Sequence, residues 1–414
     1  MATGEEAQGK APLLEPSQGA GTSSSLQTLG NIVVSIVGTG ILGLPFAFKV
    51  AGWLPGSLGV AIVGLSMHYT MNLLVRCRSR LEADGSMDVL TFGDLAEKAL
   101  GMPGRYLTET LVLISQSGGS VAYLIFIGQN LSSLFKFYSL DFSLFIFLLV
   151  PIEIALSWIR SLSSLAPFSA FADLCNVLAM AIVVREDLQL FSGFSNAKAI
   201  TTLKALPFTG GVAVFCFEGF SMTLALEASM VQRENFYRIL SLAFSGITLV
   251  YIIFGFFGYL AYGDQTRDII TLNLTNSWSA MAVKIGLCVG LTFTFPIMMH
   301  PIHEILEKKM REVGWVKKVC NDVDRGERIG VYMLRSVMVL VLAIIASFVP
   351  GFGAFISLVG STVCALLSYV LPSLFHMRLL GSDLSLRRKV LDGFILVLGL
   401  VFAGYGTLSA LSTS

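Results

Sequence analysis

The sequence predicts an all-α integral membrane protein with about eleven transmembrane helices. Three observations carry that reading. Of the 414 residues, 54% are hydrophobic and only 13% are Asp, Glu, Lys or Arg, whereas an ordinary soluble domain carries about 25% charged residues. A soluble fold of this length could not cover its surface with so few charges, so the excess apolar surface faces lipid. The apolar residues also fall in runs of about 20, the length a helix needs to cross the hydrocarbon core. The short alternating segments of a membrane barrel are absent. Finally, the Lys and Arg residues sit in short loops between these runs and form no single basic patch, which argues against a nucleic-acid partner.

Residues 1–28 are rich in Gly, Ala, Ser and Glu and lack an early apolar run. They read as a disordered cytosolic tail, not a cleavable signal peptide. Apolar runs follow at 29–49, 54–77, 106–135, 141–159, 165–184, 206–230, 239–262, 279–300, 330–349, 352–377 and 390–411. Irregular backbone facing lipid is too costly, so each run reads as a helix. Helices 1–5 occupy 29–184, helices 6–10 occupy 206–377, and helix 11 occupies 390–411. Within 86–100, Val89, Phe92, Leu95, Ala96 and Ala99 make one apolar stripe, which reads as an amphipathic helix along the cytosolic surface. Cys77, Cys175, Cys216, Cys288, Cys320 and Cys364 form no CxxC pair, and most fall inside apolar runs. Neither a metal site, a cofactor nor a disulfide framework is expected.

Loop charge sets the orientation. Twenty of the 28 Lys and Arg residues share a side with the N-terminus, and six (Lys49, Lys136, Arg185, Lys198, Lys204 and Arg267) fall on the other. The positive-inside bias puts the N-terminus in the cytosol; with an odd number of spans, the C-terminus is lumenal or external. The sequon Asn273-Leu274-Thr275 then faces the lumen.

The most informative stretch lies in the first run: Ser35-Ile36-Val37-Gly38-Thr39-Gly40-Ile41-Leu42-Gly43-Leu44-Pro45. Glycine tolerates unusual backbone angles and proline removes a donor, so the helix is expected to unwind here. The free amides would then sit at the N-terminus of a half-helix, which suits a carboxylate. Close helix packing through small residues is the alternative. Run six carries a second interruption, Phe215-Cys216-Phe217-Glu218-Gly219-Phe220-Ser221. Corresponding breaks in two halves of a five-plus-five inverted repeat mark the binding site of a leucine-transporter-like (LeuT-like) fold. The chain therefore reads as a secondary transporter for a small polar solute.

Glu218 is the first ionisable residue to single out. A carboxyl at mid-bilayer should face the bundle interior and be paired or protonated, as a coupling site or as a cap for exposed amides. Asp173 is a second proton-coupling candidate, and Glu153 a weaker one; a hydrogen-bonded structural role is the alternative for both. His68 reads as a satisfied packing residue. Ser117, Gly118, Gly119, Ser120 and Tyr123 in run three offer small residues and hydroxyls to a substrate. Thr292 and Thr294 would either help hold a sodium ion or bond back to their own helix.

At GTGILGLPFAFKVAGW (38–53), SVAYLIFIGQNL (120–131), FCFEGFSMTLALEASM (215–230), GYLAYGDQTRDIITLNL (258–274) and TFPIMMHPIHEILE (294–307), the chain resembles the amino acid/auxin permease family. That family belongs to the amino acid–polyamine–organocation superfamily. Within it, the sequence is most similar to plant vacuolar amino-acid exporters and animal proton-coupled amino-acid transporters. The resemblance implies eleven spans, helices 1, 2, 6 and 7 rocking against a scaffold, and proton-linked transport of small neutral amino acids of the alanine, proline and serine class. It implies that Gly38, Thr39, Gly40 and the adjoining Ile41 meet the substrate carboxylate. Backbone near Phe217, Glu218 and Gly219 meets its amino group, and Phe220, Ser117, Ser120 and Tyr123 line the pocket. It also implies a vacuolar or lysosomal membrane, with the plasma membrane as alternative. The tail adds no sorting signal, because Leu13-Leu14 has Gly9 where an acidic dileucine motif needs an acid. An amino-acid sensor and a sodium-coupled carrier are the rival readings. An intramembrane enzyme is not expected, since no catalytic motif surrounds Asp173 or Glu218.

Overall fold

The structure, a computed structural model, describes residues 23–86, 89–135, 141–159, 162–190, 197–274, 277–313, 323–349 and 351–413. Among these residues the regular elements are helical, apart from a single bridge between Ser23 and Met230. Among the described residues eight helices are long and apolar enough to cross a membrane, and the bent pair Ser25–Ile36 and Thr39–Ala51 makes nine.

Helix α1 (Ser25–Ile36) starts at a capping box. The Ser24 hydroxyl accepts from the Gln27 amide, and the Gln27 side chain accepts from the Ser24 amide, so two orphan donors are satisfied reciprocally. The helix thus begins inside the segment assigned from sequence to the tail. It stops at Ile36, where Val37 and Gly38 turn extended. A tight 3-10 turn over Thr39–Gly43 leads into α2 (Leu44–Ala51), with a bend of 47° between the two halves. Pro45 sits in the first turn of α2, where its missing amide costs nothing. At Gly52 the chain reverses with φ of 101°, and a Cβ there would lie 2.5 Å from the Ala199 carbonyl oxygen, so only glycine fits.

Helices α3 (Trp53–Ala83), α4 (Phe92–Leu100), α5 (Met102–Leu134), α6 (Phe142–Ser157) and α7 (Leu162–Leu190) follow. Next come the short α8 (Leu206–Cys216) and α9 (Phe220–Ser229), then α10 (Phe236–Tyr262), α11 (Trp278–Val313) and α12 (Val323–Phe348). A continuous rod then runs from α13 (Phe352–Val359) through wider π-helical turns at Gly360–Cys364 and Leu366–Val370 into α14 (Leu371–Leu380). The last helix is α15 (Leu386–Thr413). The π turns begin where two backbones touch: a Cβ on Gly360 would lie 1.9 Å from the Gly211 carbonyl oxygen.

Helix α4 is the amphipathic helix expected within 86–100. Its stripe of Val89, Phe92, Leu95, Ala96 and Ala99 is buried, and the helix packs on α5 and α14, with the Phe92 and Phe375 rings edge to face at 5.8 Å. Arg105 at the start of α5 pairs with Asp94, Glu97 and Glu109. The apolar stripe is covered by protein, not by the membrane surface.

A separate set of polar bonds ties α1, α3, α9 and α10 together. Arg78 of α3, 3% exposed, donates to the Leu224 carbonyl (2.8 Å) and the Glu227 carboxylate (2.7 Å) of α9, and to Glu82 (3.0 Å). His68 of α3 lies 2.8 Å from the Ser241 hydroxyl of α10 and 3.0 Å from the Asn72 amide, a satisfied packing histidine. Just ahead of α1, Ser23 donates to Ser229 and accepts from Val231. Removing Arg78 strands a buried carboxylate, a defect that costs about 3–5 kcal/mol. Arg78→Ala is therefore expected to lower the melting temperature sharply in detergent, as read by thermal denaturation, and to reduce yield.

Candidate functional site at the two helix breaks

Two interruptions meet inside the helical body. The first is the extended Val37–Gly38 step between α1 and the Thr39–Gly43 turn. The second is Phe217–Gly219, which separates α8 from α9. They lie against each other: a Cβ on Gly40 would fall 2.9 Å from Cys216 Sγ and 3.3 Å from Cys216 Cα. A helix end leaves its last carbonyls without intrahelical partners. Here one side chain serves both ends. Tyr251 of α10, fully buried, donates its hydroxyl to the Ile36 carbonyl (3.2 Å) and the Cys216 carbonyl (2.9 Å). The Phe217 ring covers Tyr251 at 4.9 Å and stacks on Phe244 at 5.8 Å. On the other side of each break a new helix starts, and its first amides carry a partial positive charge.

Thr39, Gly40 and Ile41 are buried at the first break, with Gly38 half-buried. Among the described residues the buried Thr39 hydroxyl has no hydrogen-bond partner. Tyr123 reaches this break: its hydroxyl oxygen lies 3.7 Å from where a Gly38 Cβ would sit. Ser120 is fully buried but donates to the Gln116 carbonyl of its own helix, and Ser117 is half-buried. Gly118 and Gly119 face Val359 and Met298, so they serve packing. At the second break Glu218 is half-buried, its carboxyl beside the Phe220 amide and within electrostatic reach of Cys364. The side chains of Phe217 and Phe220 are fully buried, and Gly219 faces Ile36.

Several polar groups near the breaks were not singled out from the sequence. Gln116 Nε2 donates to the Ser221 hydroxyl at 3.4 Å, and the Ser115 hydroxyl lies 3.5 Å from Cys364 Sγ. Ser115 and Gln116 directly precede the Ser117-Gly118-Gly119 run, which was the available signal. Thr292 and Thr294 donate back to Cys288 and Gly290 of their own helix, the second of the two readings offered for them. Asp173 lies on α7, its side chain outside the described residues. Glu153 is fully buried, and among the described residues neither of its oxygens has a hydrogen-bond partner.

The loop after α10 covers the site from the α2 side. Lys49 donates to the Thr266 carbonyl (3.0 Å), Thr271 donates to Asn130 of α5 (2.7 Å), and Asp268 accepts from the Phe352 amide at the start of α13 (2.9 Å). Asn273 donates to Gln265 and accepts from Arg267 within the same loop. On the opposite side, a cavity of about 10 Å³ lined by Ser35, Ile36, Met71, Gly219 and Thr223 has room for about one water.

Two substitutions test this geometry. Tyr251→Phe takes the donor from the buried Cys216 carbonyl, at about 1–3 kcal/mol, while the Ile36 carbonyl keeps the Gly38 amide at 3.0 Å; it is expected to lower thermal stability while its volume is kept. Gly40→Ala is expected to destabilise through contact with Cys216, and the double variant Gly40→Ala/Cys216→Ala should recover part of the loss. Additive losses in that double-mutant cycle would contradict the contact.

The comparisons with known proteins agree with this architecture. The chain matches the family described as "Transmembrane amino acid transporter protein" over residues 21–412. It is 57% identical to "Amino acid transporter ANT1" of Arabidopsis thaliana over 94% of this chain and 92% of that protein. It is 38% identical to "Amino acid transporter AVT3B" of the same plant over 99% of this chain and 98% of that one. With "Vacuolar amino acid transporter 3" of Schizosaccharomyces pombe the identity is 26%, over 90% of this chain and 57% of the relative. Among solved structures, "Inward facing conformation of Mhp1" superposes with a TM-score of 0.60 at 12% identity, over 99% of this chain and 93% of that one. "Crystal structure of MhsT in complex with L-phenylalanine" gives 0.53 at 15% identity, over 95% and 98%. At such identities these two show a shared, leucine-transporter-like fold alone. With a family match that spans nearly the whole chain and close relatives aligned end to end, the protein belongs to the transmembrane amino acid transporter family.

Proposed function

We propose that the protein is a secondary active transporter that moves small neutral amino acids by alternating access, driven by protons. The observation that carries this reading is the apposition of the two breaks, clasped by Tyr251, in a chain of this family. An amino acid carries one group of each sign. Its carboxylate fits the start of the Thr39–Gly43 turn, at the amides of Thr39, Gly40 and Ile41 and beside Gly38, whose own amide closes on the Ile36 carbonyl at 3.0 Å. Its ammonium fits the carbonyls that end α8 near Phe217, Glu218 and Gly219. Thr39 and Tyr123 supply hydroxyls at the carboxylate end, while Ser117, Ser120 and Phe220 bound the pocket. The proposed substrates are those of the alanine, proline and serine class.

Glu218 is assigned the coupling proton. It adjoins the carbonyls that would receive the substrate ammonium, so loading the proton and loading the substrate are electrostatically linked. Asp173 is the second candidate, through its position on α7. The back-bonded Thr292 and Thr294 lend a sodium-coupled mechanism no support.

In this reading there are eleven spans: the nine apolar spans, together with α6 and α7. The first repeat covers 29–184 and the second 206–377, with α1–α2 and α8–α9 as their broken first helices and α15 outside both. The N-terminus faces the cytosol and the C-terminus the lumen, in line with the loop charges. The vacuolar membrane is the favoured site, supported by the fission-yeast relative's name.

Purified protein in proteoliposomes is expected to accumulate labelled alanine or proline when a pH gradient is imposed without sodium, and to lose accumulation with a protonophore. Glu218→Gln is expected to bind and exchange substrate while gradient-driven accumulation falls at least about tenfold, a change equal to about 1.4 kcal/mol of lost coupling. An unaltered pH response in that variant would remove Glu218 from the coupling role. Uptake that needs sodium instead would replace the ion.

A further inference from the structure

A buried polar chain lies away from the breaks. Asp392 of α15 is fully buried; one carboxylate oxygen accepts from the Tyr69 hydroxyl of α3 at 2.7 Å, and the other lies 2.6 Å from His376 Nδ1 of α14. His376 is 1% exposed. One turn earlier on α3, the Ser66 hydroxyl lies 3.1 Å from the Tyr369 hydroxyl. Ser66 and Tyr69 share one helix face, being three residues apart. A single stripe of α3 is therefore joined by hydroxyls to the rod of α13–α14 and to α15. Arg76 and Cys77 of α3 and Arg388 of α15 are the charged and titratable groups around this chain.

A carboxylate buried at the side of a membrane helix is costly, and α15 has no need of one for anchoring. It presents Val390, Phe394, Val397, Leu398 and Val401 outward, and apolar packing alone would hold such a helix at lower cost. A hydrogen bond offers what packing does not: it can open, exchange its partner for water and close again at little net cost. The position of the chain gives that property a use. Helices α1, α3, α9 and α10 are joined to one another through Ser23, Arg78, His68 and Tyr251. The Tyr69–Asp392 bond leads out of that linked group.

We propose that Tyr69 and Asp392 form a latch that opens and closes once in each transport cycle. The Asp392–His376 pair stays together on α14 and α15, and Tyr69 departs with α3. Both are positioning residues, which act on the orientation of the carrier and not on the substrate. The proposal rests on the alternating-access reading, in which one helix group must swing against the rest.

Tyr69→Phe removes the crossing bond while keeping the ring and the Asp392–His376 pair. The reporter is Ser35→Cys, which lines the small cavity beside the breaks, labelled by a membrane-impermeant maleimide in full-length protein reconstituted in nanodiscs. Protein without the reporter cysteine sets the background. With one hydrogen bond to a carboxylate lost, labelling is expected to speed up about tenfold, with turnover altered more than KM. Ser66→Ala, which removes the neighbouring hydroxyl bond, is expected to shift labelling the same way by a smaller factor and carries the test if Tyr69→Phe does not fold. Labelling and turnover both within about twofold of the parent, in variants of parental thermal stability, would overturn the latch. Because labelling needs no substrate, a parent that fails to move amino acids while labelling still responds to Tyr69→Phe would overturn the transport reading and the once-per-cycle latch with it, leaving only a bond that controls opening at Ser35. Unchanged labelling in a parent that does transport would overturn the latch alone.

Discussion

One hydroxyl holds the centre of this protein together. Tyr251 donates to the last carbonyl of α1 and to the last carbonyl of α8, so the two helix ends that must stay unwound are also held side by side. At the first break the Gly38 amide also reaches the Ile36 carbonyl, at 3.0 Å; at the second, the Cys216 carbonyl without Tyr251 would face a medium that offers no water, and the chain would gain by rewinding. Phe217, itself stacked on Phe244, covers the tyrosine, which strengthens the bond by excluding solvent. On the opposite sides of the same breaks a turn and a helix begin, and helix starts carry partial positive charge. An unwound, clasped and partly unsatisfied pair of breaks is what a small zwitterion needs.

Around this centre, close backbone approach and polar ties divide the labour. Gly40 against Cys216, and Gly360 against Gly211, bring main chains so near that any side chain would collide. These contacts fix where α1, α8 and the α13–α14 rod can sit. Arg78, His68 and Ser23 add bonds among α1, α3, α9 and α10. The loop of Thr266, Asp268 and Thr271 binds α2, α13 and α5 through single hydrogen bonds. Such bonds exchange readily with water, whereas interdigitated apolar packing does not, so they are suited to surfaces that part and rejoin.

The sequence made the membrane class legible because lipid imposes long apolar runs and few charges. It made the first interruption legible because three glycines and a proline cluster within Gly38–Pro45. The role of Tyr251 was not legible. A tyrosine in an apolar run gives no sign of which carbonyls lack partners until both helix ends are known. Amphipathicity revealed the covered face of α4 but not what covers it: periodicity reports that a stripe is buried, and protein and lipid leave the same pattern. Gly40 was legible as part of the break; that its missing side chain also leaves room for Cys216 was not. Small residues announce a close neighbour without naming it. Asp392, His376 and Tyr69 come together from three helices, a juxtaposition that no spacing along the chain could signal.

The central claim is that the paired breaks bind the two charged ends of an amino acid. The most direct measurement is a high-resolution structure of the protein with alanine or proline bound. The account predicts the substrate carboxylate within hydrogen-bond distance of the amides of Thr39 to Ile41, and the ammonium at the carbonyls near Phe217 and Glu218. Substrate density outside the breaks, or bound with its charged ends reversed, would contradict it.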